Sequence, residues 1–132
     1  MFARDLKSNI DVVVSLSPAA TAASRTGAGV DLQGYDGALA VVSLGTWVDG
    51  THTPKLQEST DNTTFTDVAA SNLEGSFTLA SASANVATAT QRVGYIGGQR
   101  YVRGVITVAG ATTGIPTAVN IVRGEPNRQP LA

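Results

Sequence analysis

One histidine, His52, and no cysteine limit the chemistry that these side chains can do. A Ser-His-Asp arrangement would have to be built on His52, since no other imidazole is present to act as base. His52 follows Asp49-Gly50-Thr51 and precedes Pro54, so this setting predicts an exposed loop histidine. A zinc site draws most of its ligands from His and Cys, and the chain offers a single residue of those two types. Disulfides and thiolate nucleophiles are excluded with the cysteines. The run Asp61-Asn62-Thr63-Thr64, with Asp67, is rich enough in oxygen to suggest calcium. An EF-hand loop, however, needs alternating ligands, a central Gly and a closing Glu. With the Gly missing and the spacing wrong, an Asx-type hairpin turn is expected.

Glu58, Glu74, Asp49 and Asp61 could in principle supply the carboxylate pair of a glycosidase. Ser, Thr and Asn surround them, and nothing in their spacing sets two of them face to face. Gly27-Ala28-Gly29 and the stretch from Gly94 to Gly98 do not match the phosphate-loop pattern and open no helix, so they read as turns and a bulge. Trp47 invites a sugar-stacking reading, but the single Trp of a chain with few aromatics is expected to anchor the core. Arg92, Arg100, Arg103 and Arg123 belong to the later strands and read as strand-end or interface arginines. The expectation is a chain without catalytic residues, cofactor or metal.

The elements that carry these residues are strands. Short β-branched runs alternate with Gly, Asn, Asp and Pro, and no window holds a clean helical stripe. Ser81 to Ala89, the best helical candidate, reads better as a strand or ordered loop. Strands are expected at Ile10 to Leu16, stopped by Pro18; at Val30 to Leu32; and at Ala38 to Leu44, apolar on both parities and so central and covered on both sides. Asp49-Gly50 is a turn signal. Lys55 to Thr60 and Phe65 to Val68 read as a hairpin, followed by Phe77 to Leu79 and Val86 to Ile96. Gln99 to Ala109 puts Val102, Ile106 and Val108 on one face, with Gly104 among them marking a bulge or a close approach. Thr117 to Val122 closes the domain, with Val119 and Ile121 inward. Roughly eight strands at about ten-residue spacing predict an all-β, single-domain antiparallel β-sandwich or jelly roll over residues 1–132. Residues 1–9 read as an N-terminal arm and 125–132, with Pro126 and Pro130, as a C-terminal tail.

Length and composition narrow the role. The 132 residues suit one domain. A net charge of -1 gives no electrostatic footprint for nucleic acid or an acidic membrane. Charged residues make up 14% of the chain, against about 25% in an ordinary soluble domain. Such a surface suits a protein whose faces are covered by neighbours. Near the N-terminus, Asp5 and Asp11 interrupt what would otherwise resemble a signal peptide, and no stretch is long enough for an apolar membrane span, so a soluble chain without an export signal is expected.

Two segments carry a resemblance. Leu56 to Val68 fits LxESxDxxxFxxV, and Gly94 to Arg103 fits GYxGxxRYVR. Together with Asp31-Leu32-Gln33-Gly34-Tyr35 they resemble a group of small structural proteins of tailed phages, encoded beside the major capsid protein. The resemblance runs from about Asp31 to the Pro-rich tail. The ESxD hairpin also occurs in unrelated β-sandwich modules, including sugar-binding ones, and the RYVR strand narrows the match. The resemblance implies a capsid decoration (cement) protein on the exterior of the virion, made in the bacterial host cytoplasm. It also implies the major capsid protein as partner and a homo-oligomer, trimer or dimer. Expected contact residues are Phe2, Arg4 and Leu6 in the arm, Arg128 and Leu131 in the tail, and Arg103. Alternative expectations are another virion component, such as a head-tail connector or tail protein, and a carbohydrate-binding module.

Overall fold

The computed structural model describes residues 6–81 and 90–126. Among the described residues, ten antiparallel strands fall into two sheets. In chain order they are β1 (Ile10–Thr21), β2 (Arg25–Thr26), β3 (Val30–Asp31), β4 (Tyr35–Leu44), β5 (Thr51–Ser59), β6 (Thr66–Asp67), β7 (Leu73–Glu74), β8 (Gln91–Tyr95), β9 (Tyr101–Ala109) and β10 (Ile115–Pro126). Four of the ten are two-residue pieces, which is where the count departs from the expected eight. A 3-10 turn, Ala70–Asn72, precedes β7. The first sheet runs β1-β10-β4-β8-β7; the second runs β2-β9-β5-β6, with β3 also on β9.

Alternation puts one face of each sheet inward. Leu16, Ala40, Val42, Tyr95, Val119 and Ile121 of the first sheet form one buried cluster with Val30, Leu56, Val102 and Ile106 of the second. Val119 and Ile121 lie inward as expected, each 1% exposed. Of the bulge or close approach expected at Gly104, β9 shows no bulge towards β5, where Leu56 stands opposite Gly104 in unbroken register. On its other side the register shifts between Val105 and Val102, and Gly27 N–H approaches to donate to Gly104 O at 2.8 Å. Glycine is needed there because a Cβ would lie 2.5 Å from a Val119 methyl of the other sheet. Ser15 of β1 ties the same point, its Oγ accepting the Gly104 N–H at 2.9 Å and donating to Ala28 O at 2.8 Å.

Several boundaries differ from expectation for physical reasons. Pro18 does not end β1, because it sits where the register slips between Leu16 and Ala19 and no ladder N–H is demanded of it. The tail expected from residue 125 begins inside β10, where Pro126 still pairs with Tyr35 at the strand end. Phe77 to Leu79 forms no strand. The Gln91 side-chain amide takes both Thr78 backbone groups, accepting from N and donating to O at 2.8 Å each, so no ladder partner is needed. Strand β4 is central, between β10 and β8, but covered on one side: Ala40 and Val42 are buried while Leu39 and Val41 are half-exposed. The expectation for Ser81 to Ala89, apart from Ser81 itself, and the start of the Val86 strand lie outside the described residues.

Candidate interaction face

The outward face of the first sheet carries Val and Leu side chains on three adjacent strands, β1, β10 and β4, beside Gly94 and Arg92 of β8. The register sets Val12 beside Val122, Leu39 and Gly94, and Val14 beside Asn120, Val41 and Arg92. Val12 and Val14 are 54% and 50% exposed, and Leu39, Val41 and Val122 are half-exposed. Where Leu39, Val122, Gly94, Gly124, Glu74 and Ile96 meet, the face dips into a depression of about 480 Å³. Arg92 and Glu74 supply charge on the β8–β7 side of the face.

The outward face of the second sheet is of the opposite kind. Lys55 and Gln57 of β5, Arg103 and Thr107 of β9 and Asp67 of β6 line it. Gln57 accepts from Arg103 Nε and donates to Asp67 Oδ1, both at 2.9 Å, and Lys55 reaches Asp67 at 3.1 Å. These donors hold the Asp67 carboxyl below its ordinary value, Gln57 first and Lys55 second. Arg103 also lies over the Phe65 ring, 3.9 Å from its centre.

His52, expected as an exposed loop residue, is fully buried in β5. Its Nε2 is 2.9 Å from Asp49 O, and its backbone bridges Ala80. Nδ1 finds no partner among the described residues. Asp49 is the organiser of this end: its carboxylate accepts the N–H groups of Thr112, Thr113 and Gly114 at 2.8–2.9 Å. Those backbone donors lower its pKa, Thr113 first. Trp47, expected in the core, is instead half-buried beyond the end of β4, where its indole N–H donates to Gly50 O at 2.9 Å. The Asp61 turn is Asx-type: Oδ1 accepts from Thr63 N and Thr64 N, and Asn62 takes φ 62°. These bonds, Thr64 first, depress the Asp61 pKa.

At the other end, Arg100 grips Asp31 with two bonds of 2.8 and 2.9 Å and draws its pKa down to about 2. Arg123 pairs with Asp11, donates to Asp31 O and lies over the Tyr35 ring. Tyr95 donates to Glu58 across the two sheets at 2.7 Å, and burial followed by that bond pushes its pKa up to about 12. Beside Tyr95 is a groove of about 470 Å³ lined by Leu32, Gln33, Tyr35, Asp36, Gln99 and Arg100.

Of the residues expected to make contacts, Leu6 is 65% exposed just before β1, while Arg103 belongs to the polar face of the second sheet. The structure therefore does not join these two in one patch. Phe2, Arg4, Arg128 and Leu131 lie outside the described residues. The sequence reading missed Val12, Val14, Leu39, Val41 and Val122. The apolar outward parity of Ile10 to Val14 and of Ala38 to Leu44 was the available signal. Compared with known proteins, the chain matches no family model, and neither the curated proteins nor the solved structures give a match.

Proposed function

We propose that the chain is a structural virion protein, a decoration (cement) protein that binds the outer surface of a tailed-phage head and stabilises it, with the major capsid protein as its partner. The observation that carries this reading is the contrast between the two outward faces. One is a polar network centred on Gln57, Arg103 and Asp67; the other is a sheet of Val and Leu side chains half open to solvent. Exposed apolar surface of this kind marks a contact face.

The architecture under this reading is a β-sandwich, supported by the single core cluster drawn from both sheets and by the Tyr95–Glu58 and Ser15–Gly104 links between them. A rigid sandwich presents its face without ordering cost on binding, and many copies on a lattice make individually weak contacts add up. In purified capsids lacking their decoration protein, the unaltered chain is expected to co-sediment to saturation. Leu39→Lys, which puts charge in the middle of the apolar face, is expected to weaken this at least about tenfold, a loss of ~1.4 kcal/mol. Lys55→Ala on the polar face leaves binding unchanged. Equal binding by both variants would remove the face from the contact.

A further inference from the structure

We propose that residues Ile10 to Val14 of β1 pair antiparallel with the same residues of a second copy, about a two-fold axis at Val12, joining two first sheets into one. The inference deepens the structural role argued above and rests on it, but concerns the free protein. Sheet edges left open by short strands offer little to pair with: β2, β3, β6 and β7 are two residues each. Strand β1 is twelve residues long, meets β10 on one side and meets no strand on the other among the described residues.

The fold closes the later half of that edge itself. Ser15 O accepts from Ala28 N at 2.7 Å, and the Arg25 guanidinium takes the carbonyls of Ser17 and Ala19. The earlier half is tied only at its start, where Ile10 N–H donates to Leu6 O at 3.2 Å, and otherwise lacks the devices that normally blunt an edge: Ile10 to Val14 contains no Pro and no Lys, and its one charge, Asp11, is committed to Arg123. The register about Val12 is self-complementary. On the outward face, Val12 of one copy meets Val12 of the other, and each Ile10 meets a Val14. On the inward face, Asp11 meets Val13, so no like charges are opposed. Leu6, 65% exposed, flanks the ladder with further apolar surface. An isologous pairing of this kind keeps both apolar faces on one side, giving a doubled face suited to a two-fold site on a lattice.

A five-residue ladder buries well under the about 1,200 Å² of a stable interface, so the pair is weak in solution and is strengthened by co-anchoring. The native chain has no cysteine, which makes crosslinking clean. Under mild oxidant at high protein concentration, Val12→Cys is expected to form a disulfide-linked dimer, while Leu79→Cys, 40% exposed elsewhere, stays mostly monomeric. Sedimentation of the unaltered chain at millimolar concentration should show a dimer, and Val14→Lys should weaken it at least about tenfold. A monomer at that concentration, or Val12→Cys linking no faster than Leu79→Cys, overturns the pairing. Capsid binding is read separately. A dimer that ignores capsids sinks the decoration role alone, and a capsid-binding monomer sinks the pairing alone.

Discussion

Gly104 and Ser15 show how much a single atom decides in this protein. A methyl group at position 104 would press on Val119 across the core, so Gly104→Ala is expected to cost about 1–3 kcal/mol in denaturant unfolding; a change within experimental error would mean that the sheets can part there. Ser15→Ala leaves the buried Gly104 N–H without its acceptor and should cost a similar ~1–3 kcal/mol. Acid sensitivity is also set residue by residue. Asp31, Asp49, Asp61 and Asp67 all have folded pKa values below 3.8, Asp31 at about 2. Their contribution is fully present above the unfolded value and is lost as pH falls from about 4 toward 2. Thermal melts at pH 6 and at pH near 3 should therefore show a lower midpoint in acid, and Asp31→Asn should flatten that dependence; a flat profile in the unaltered chain would contradict these pairings. At this scale the sequence was partly readable. The Asp61 turn was legible because its partners lie within three residues. His52 was not, because its burial depends on Ala80 and Asp49 closing over it, while Asp-Gly and Pro nearby suggest a loop.

Strands read well where alternation and a turn agree. Lys55 to Thr60 and Phe65 to Val68 announce the β5–β6 hairpin because apolar parity and the Asx turn point the same way. They read poorly where a side chain replaces a ladder partner, as Gln91 does for Thr78, or where a bulge absorbs a proline, as at Pro18. The segment before β1 ends in a turn, Leu6 O accepting from Asn9 N and Ile10 N, and it supplies no core residue among those described. Deleting residues 1–9 is accordingly expected to leave the unfolding free energy within about 1 kcal/mol of the intact chain while weakening assembly. A deletion that prevents folding would make the arm part of the core.

For the molecule as a whole, strand runs and turn spacing gave the all-β class and composition gave the low charge, but not its distribution. Which faces end up outward follows from β1 pairing with β10 and β10 with β4, contacts between distant parts of the chain that local patterns do not encode. With that topology in hand, the exposed Val and Leu side chains of the first sheet stand apart from the hydrogen-bonded polar face of the second. The central claim is that many copies lie on a capsid through the apolar face of the first sheet. The direct measurement is the molar ratio of this chain to the major capsid protein in purified virions of the encoding phage, by quantitative mass spectrometry. The account predicts a ratio near one, or a simple large fraction of it. A handful of copies per particle, placing the chain at the neck or tail, or its absence from virions, would contradict it.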